Sequence, residues 1–266
     1  MSVAADPTRI GAAASFRDVA VRFTTKKREV MALREVSFGV APGEFVAIVG
    51  PSGCGKSTLL KLAAGLLLPS AGSVSLLGRQ VTGPRSDIGY VFQRAALLEW
   101  RSARRNILLQ AQMRGMDART AARRAAELIE MTGLTGFEDA LPHELSGGMQ
   151  QRVALCRALL HNPSMLLMDE PFGALDALTR EQMNVELHRV WRETGTTVLL
   201  VTHSIAEAVY LANRVVVMTP RPGTVAAEID VPLPVPRDYA TVVAEPRFAA
   251  AASGIRELLG AQAHAE

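Results

Sequence analysis

The sequence lacks the features that would assign it to a membrane-spanning, secreted or nucleic-acid-binding class. No hydrophobic run approaches the roughly 18 to 20 apolar residues of a membrane-spanning helix. The segment from Met1 to Ser15 has neither a basic leader nor an apolar core, so it is not expected to be a secretory signal. The formal net charge is only +3 and includes no concentrated basic block. We therefore expect a soluble chain with no nucleic-acid partner and a loose N-terminal tail.

Cysteine is also scarce. Cys54 and Cys156 are the two cysteines of the chain, and no disulfide framework can be built from them. A reducing cytoplasm is the expected setting. The sequence has no internal repeat or low-complexity domain, and its 266 residues suffice for a substantial core in one or two domains.

One stretch carries a strong chemical signature. It fits the pattern G-x-x-x-x-G-K-[ST], it follows the apolar run Phe45 to Val49, and it precedes the helix-forming run Thr58 to Ala64. Such a loop turns successive backbone N–H groups and a helix N-terminus toward phosphate oxygens. The sequence therefore predicts a phosphate-binding loop rather than an ordinary glycine-rich turn. Its residues are Gly50, Pro51, Ser52, Gly53, Cys54, Gly55, Lys56, Ser57 and Thr58.

The surrounding patterns predict an antiparallel sheet that precedes a parallel one. Val19, Val21 and Phe23 alternate with polar or small residues before the basic turn Lys26 to Arg28, and Val36 to Val40 repeats the alternation. The later runs are apolar throughout, as in buried parallel strands. They lie at residues 88–92, 165–168, 197–201 and 215–218.

A helical insertion interrupts these strands. Residues 101–131 are rich in strong helix formers, and Asp117 is placed to cap one of the helices. The segment Leu145 to Arg152 then opens another helix, with Ser146 as its N-cap and Gly147 and Gly148 at its first positions. The residues alone leave two interpretations open: an ordinary capped helix, or a helix N-terminus that receives an anion.

Polar residues follow three of the apolar runs: Gln93, then Asp169 and Glu170, then His203. Carboxyl ends of parallel strands are where α/β proteins place ligand sites. The two carboxylates suit a metal ion and a polarised water, although they could also cap the next turn. Gln93 could be a plain strand terminus and His203 a structural histidine.

Taken together, these motifs resemble the ATP-binding subunit of ABC transporters from about Phe16 to Gly223. The Leu-Ser-Gly-Gly signature before Gln150-Gln151-Arg152 distinguishes this class from other phosphate-loop proteins. The resemblance implies an α/β P-loop NTPase fold: a RecA-like parallel core sheet, an N-terminal antiparallel β-subdomain and an α-helical signature subdomain. It implies a tail at 1–15, the ATP-binding domain at 16–224 with the helical subdomain at roughly 94–158, and a C-terminal extension at 225–266.

The resemblance also implies the roles of individual residues, with ATP and Mg²⁺ as cofactors. Lys56 contacts the phosphates and Phe23 stacks on adenine, unless Phe23 is a plain core residue. The remaining roles follow the family's motifs. Ser57 and Gln93 are ligands of Mg²⁺, and Asp169 holds the ion through water. Glu170 activates water and His203 contacts the γ-phosphate. Ser146, Gly147 and Gly148 bind the γ-phosphate of ATP held by a second subunit, and Asp176 is a further residue of the nucleotide site.

Within the class, the segments Asp169 to Arg180, Leu98 to Arg101 and Thr202 to Ile205 resemble the nitrate, sulfonate and taurine importers. Glu99, where proline is frequent, and Asn213, where aspartate is usual, depart from that pattern. The implied partners are a second ATPase subunit, membrane permease subunits and, indirectly, a solute-binding protein. The chain would lie peripherally on the cytoplasmic face of the bacterial inner membrane.

The same resemblance places the permease contact at residues 97–107. Two competing interpretations are a soluble ABC-type ATPase in cluster assembly, translation or DNA maintenance, and an unrelated P-loop kinase. The signature argues against the kinase.

Overall fold

A computed structural model describes residues 11–24 and 28–263. The strands are β1 (Ala14–Thr24), β2 (Glu29–Val40), β3 (Phe45–Val49), β4 (Ala71–Leu76), β5 (Arg79–Gln80), β6 (Ile88–Val91), β7 (Met165–Asp169), β8 (Thr197–Val201), β9 (Arg214–Met218) and β10 (Val225–Asp230). The helices are α1 (Lys56–Ala63), α2 (Ala103–Ile107), α3 (Leu109–Arg114), α4 (Ala118–Met131), α5 (Gly147–Leu159), α6 (Ala177–Thr194), α7 (Ile205–Leu211), α8 (Tyr239–Val243) and α9 (Pro246–Ala263).

These elements form two units. The first contains the described residues up to Ser86 and those from Thr197 onward, and the second contains Asp87–Thr196. Helices α2 to α5 share the second unit with β6, β7 and α6. The helical subdomain at roughly 94–158 stays a prediction within that larger unit.

The first unit opens with the predicted antiparallel sheet. Strand β1 pairs antiparallel with β2 and with β4, and β4 pairs with β5. Phe16 and Phe38 stack across β1 and β2 with ring centroids 4.5 Å apart, which anchors the buried face. Ala14 and Ser15 belong to β1 rather than to the predicted tail, because their backbone pairs with β2. The rest of that tail, Met1 to Ile10, lies outside the described residues, as do Lys26 and Lys27 of the predicted basic turn.

The second sheet of this unit is built on β3, whose five residues are all buried. Strand β3 pairs parallel with β8 on one side and with β9 on the other. All three were predicted as buried strands, and the prediction is confirmed. Their carboxyl ends meet at one edge of the sheet, so the segments that follow them lie near one another.

Strand β10 was not predicted. It pairs antiparallel with β9, so the predicted C-terminal extension begins inside the sheet. A buried ion cluster fixes this junction: Arg214 of β9 donates from Nε to Glu44 Oε1 at 2.8 Å and forms a second ion pair with Glu228 of β10. Burial raises the pKa of Glu228, and the positive charge of Arg214 opposes that rise.

In the second unit, β6 and β7 pair parallel. Asp117 caps α4 by accepting a hydrogen bond from the Thr120 amide at 2.8 Å, as predicted. In α6 the side chains of Met183, Leu187 and Val190 are buried and Trp191 is half-buried, so one face of this helix belongs to the core of the second unit.

Candidate functional site

The phosphate loop lies between β3 and α1, where the sequence places it. Gly53 and Gly55 have φ angles of 76° and 107°, in the left-handed region that glycine occupies without steric strain. Within the loop, the Cys54 amide donates to the Pro51 carbonyl at 3.3 Å. The side chain of Cys54 is buried and burial raises its pKa, so it remains a neutral thiol at neutral pH.

Lys56 is the first residue of α1, and its side chain turns back over the loop. Its Nζ donates to the Gly50 carbonyl at 2.8 Å and to the Pro51 carbonyl at 3.0 Å. The residue is only 6% exposed. A nearly buried ammonium at a helix N-terminus gives the loop a concentrated positive charge, which suits a polyanion.

The segment after β9 packs against this loop. A Cβ added at Gly223 would lie 2.0 Å from the Cys54 carbonyl oxygen, so only glycine allows the approach. Arg221 donates from Nε and Nη2 to the Gly53 carbonyl at 3.1 and 3.0 Å. Arg221 was not among the predicted site residues. The available signal was a cation in the turn that follows β9, whose carboxyl end lies at the same sheet edge as the phosphate loop.

His203 follows β8 and is exposed, so it lies outside the core, and its contact with the γ-phosphate stays a prediction. Its neighbours are rigidly held. The Ser204 amide donates to Thr202 Oγ1 at 3.0 Å, Thr202 Oγ1 donates to Glu207 Oε2, and Ser204 Oγ caps α7 by accepting from the Glu207 amide at 3.3 Å. The backbone on both sides of His203 is therefore fixed at the sheet edge.

Phe23 lies near the end of β1, paired with Val30 of β2. It is 43% exposed, so the alternative of a plain core phenylalanine is wrong. An exposed ring on a strand offers a flat surface for stacking. Its adenine contact stays a prediction.

In the second unit, Glu170 directly follows β7 and has a φ angle of 45°, which is unusual for a residue with a side chain. Gln93 Nε2 donates to Glu170 Oε2 at 3.4 Å. Asp169 is the last residue of β7. Burial of the Tyr90 side chain is the larger cause that raises the pKa of Tyr90, and the negative charge of Asp169 raises it further. The structure thus brings together the glutamine and the carboxylates that the sequence predicts, and strained backbone of this kind is frequent at functional sites.

A second hydrogen bond, which the sequence did not predict, positions Gln93. Gln151 of α5 is 6% exposed, and its Nε2 donates to the Gln93 carbonyl at 2.8 Å. The signature helix therefore holds the backbone of Gln93. The only available signal was a polar residue on the inner face of that helix.

The signature itself forms a tight helix start. Ser146 caps α5 by accepting from the Met149 amide at 3.3 Å, as predicted. A Cβ added at Gly148 would lie 2.7 Å from Cγ2 of Thr179, so α6 approaches this glycine closely. Asp176 caps α6 by accepting from the Thr179 amide at 3.0 Å, and this bond holds the pKa of Asp176 below its usual value. The Ser146, Gly147 and Gly148 segment and the Asp176 turn are thus neighbours.

Residues 33–173 match the family described as ABC transporter. The chain belongs to this family. It is 44% identical over 239 residues to the taurine import ATP-binding protein TauB of Jannaschia sp. (strain CCS1), covering 88% of this chain and 89% of the relative. It is 48% identical over 237 residues to TauB of Rhizobium johnstonii (strain DSM 114642 / LMG 32736 / 3841), covering 87% and 90%.

A solved structure supports the same assignment. A dimeric ATP-binding cassette in a post-hydrolysis state bound to ADP and Pi has a TM-score of 0.72 and 33% sequence identity, covering 82% of this chain and 98% of that chain. The predicted α/β P-loop NTPase fold and the resemblance to transporter ATP-binding subunits are therefore confirmed. The chain is an ABC ATPase that binds and hydrolyses ATP.

The segment at residues 97–107, which an ABC ATPase of this type is predicted to present to a permease, contains both exposed and buried residues. Trp100 is 75% exposed. Asn106 is fully buried and shapes the loop: its Nδ2 donates to the Arg101 carbonyl at 2.8 Å, and its Oδ1 accepts from the Leu98 amide at 2.8 Å. Ile107 is also fully buried, so only some side chains of this segment are accessible, and the permease contact at residues 97–107 stays a prediction.

Among residues 11–24 and 28–263, no group of three or more His, Cys, Asp or Glu side chains is arranged to hold a metal ion. Mg²⁺ in a nucleotide site typically completes its coordination with phosphate oxygens and water. In the same described part of the ABC ATPase, no helix is long and apolar enough to cross a membrane.

Proposed function

We propose that the chain is the ATP-hydrolysing subunit that energises an importer for a small solute such as taurine, another alkanesulfonate or nitrate. The observation that carries this proposal is the phosphate loop closed by Lys56, in a chain whose relatives include taurine import ATP-binding proteins. Those names favour taurine as the first solute to test. They give no support to a soluble ABC-type ATPase without a transport role.

We propose the following roles in ATP hydrolysis. Lys56 and the loop amides bind the β- and γ-phosphates. Glu170 polarises the attacking water, because its carboxylate is held by Gln93 at the end of a buried strand. His203 contacts the γ-phosphate, and exposed Phe23 stacks on adenine.

The Mg²⁺ that accompanies ATP fits the residues proposed for it. The hydroxyl of Ser57, the amide oxygen of Gln93 and the carboxylate of Asp169 are oxygen donors of the kind that this ion prefers. Gln93 donates from its NH₂ group to Glu170, so its amide oxygen would be the atom available to the ion. When bound, the ion neutralises charge on the phosphates.

The signature and the Asp176 turn act on the ATP of a second subunit in this proposal. Ser146 and the two glycines present a helix N-terminus whose amides suit a phosphate. ATP would then close a dimer, hydrolysis would release it, and permease subunits would follow that cycle. The chain would act from the cytoplasmic face of the inner membrane.

Growth on taurine tests the solute. A strain whose copy of this gene is deleted should lose growth on taurine as sole sulfur source and keep growth on sulfate. The parental gene should restore growth on taurine. Restored growth on nitrate or on another sulfonate, without an effect on taurine, would reassign the solute.

Co-purification of only soluble partners with the tagged chain from its own membranes would contradict the importer role.

Charge reversal tests the permease contact. Arg104 and Arg105 are exposed on α2, and Arg101 lies beside exposed Trp100. Changing all three arginines to glutamate should reduce co-purification of the permease at least about tenfold. A permease surface that complements three arginines is acidic, and like charges across an interface disfavour association by several kcal/mol. ATPase activity of the isolated chain should remain.

The matched control reverses Arg119 and Arg123, which are exposed on α4. This variant should assemble normally. Normal assembly and transport by the first variant would contradict the assignment of residues 97–107 to the permease contact.

A further inference from the structure

The C-terminal extension places a buried cation at the end of helix α7. Arg237 is only 5% exposed. Its Nη2 donates to the Ala212 carbonyl at 3.0 Å, its Nη1 donates to the Val209 carbonyl at 3.3 Å and to the Tyr210 carbonyl, and its Nε donates to the Pro234 carbonyl at 3.3 Å. The guanidinium thus caps three carbonyls, those of Val209, Tyr210 and Ala212, near the C-terminus of α7.

This cap is important because α7 has only seven residues. The last four carbonyls of any α-helix have no partner inside the helix, and in a two-turn helix they are the majority. Short helices are marginal without such support. A positive charge at the C-terminus also opposes the negative end of the helix dipole. Burial lowers the pKa of Arg237 to about 10, so the guanidinium stays protonated at neutral pH.

The other end of α7 adjoins His203. Ser204 is the N-cap, and Glu207 in the first turn is 4% exposed and accepts a hydrogen bond from Thr202. These bonds require the helical geometry of the first turn. Helix α7 therefore carries a buried glutamate in its first turn and a buried guanidinium at its C-terminus, with His203 directly before its N-cap.

We propose that Arg237 is a positioning residue for His203: by capping α7 from the C-terminal extension, it keeps the Thr202 to Ser204 backbone in the arrangement that directs His203. This inference rests on the proposed role of His203 at the γ-phosphate. It gives the C-terminal extension an indirect part in ATP hydrolysis, through α7 and His203.

The extension is itself anchored to α7, so the cap is built into the fold. Tyr210 Oη donates to the Arg237 carbonyl at 3.2 Å. The rings of Tyr210 and Tyr239 pack with centroids 4.8 Å apart. Loss of the guanidinium would leave buried carbonyls without donors, and the last turn of α7 would then fray. Fraying shortens the helix that the Ser204 and Glu207 bonds depend on.

A double-mutant cycle tests this coupling. Arg237→Met should lower kcat for ATP about three- to tenfold with little change in ATP affinity, because a frayed α7 holds His203 in its productive position for a smaller fraction of the time. His203→Ala should lower kcat at least about a hundredfold. If Arg237 acts through His203, the double variant should match His203→Ala, because coupled residues are not additive. Amide exchange in α7 should be faster in Arg237→Met.

The controls separate positioning from general stability. Arg256→Met removes an exposed arginine of α9 and should leave kcat unchanged. Arg237→Lys should recover part of kcat, because an ammonium can still bond one or two of the carbonyls. Should Arg237→Met not fold, Tyr210→Phe loosens the same anchor with almost no change of shape, and the cycle is repeated with it.

Each outcome has one meaning. An Arg237 effect of equal size with and without His203 would overturn the positioning role while leaving the proposed function intact. Parental turnover in His203→Ala would instead overturn the proposed role of His203, and the inference with it. Unchanged kcat in both Arg237→Met and Tyr210→Phe would also contradict the inference.

Discussion

The Glu170→Gln variant is expected to bind ATP with the parental affinity and to hydrolyse it about 10²- to 10⁴-fold more slowly, the usual contribution of a general base. Glutamine has nearly the same shape as glutamate, and its amide oxygen can still accept the bond that Gln93 donates. The local structure and the positive φ angle at this position should therefore persist. What is lost is the carboxylate that takes a proton from water.

The variant should also accumulate as an ATP-bound dimer, because the step that releases the subunits is blocked. Single-turnover hydrolysis, nucleotide binding and size-exclusion chromatography with ATP measure the three effects. Glu193→Gln, at an exposed position of α6, is the matched control and should behave as the parent. Parental hydrolysis by Glu170→Gln would remove Glu170 from its proposed role.

The Lys56→Ala variant should fail at the earlier step, with ATP affinity reduced at least about a hundredfold, which corresponds to roughly 3 kcal/mol of lost binding free energy. The ammonium is 6% exposed and lies against two loop carbonyls. Alanine removes the positive charge and leaves the Gly50 and Pro51 carbonyls without this donor. Both effects disfavour the loop conformation that binds a polyanion.

Titration with a fluorescent ATP analogue measures this change directly. Lys61→Ala is the matched control, because Lys61 is a lysine of the same helix whose side chain is exposed in the last turn. It should bind ATP as the parent does. Unchanged affinity in Lys56→Ala would contradict a phosphate contact for Lys56.

The parts of the molecule that sequence could predict are those whose cause is local. The glycines of the phosphate loop stand between a buried strand and a helix, and the structure has both elements at that place. Ser146 and Asp117 each accept a hydrogen bond from the amide three residues ahead, so their capping role is visible within one helical turn. The buried parallel strands followed from their continuous apolar runs.

The parts that sequence could not predict depend on contacts between distant segments. Arg221 and Arg237 donate mainly to backbone carbonyls, which every residue type offers, so no partner residue signals the bond. Gln151 likewise bonds the carbonyl of Gln93, 58 positions away in the chain. Strand β10 was missed because its residues are mostly half-buried and show no clean alternation.

Among the described strands, β10 is the edge strand of its sheet. The exposed backbone of an edge strand can pair with a strand of another chain, which is a route to aggregation. This edge is six residues long, Glu228 turns its charge inward to Arg214, and Asp230 is exposed at its end. Short edge strands and inward-facing charge both discourage edge-to-edge pairing. The ion cluster that joins the extension to the sheet therefore also disfavours pairing of this edge with a strand of another chain.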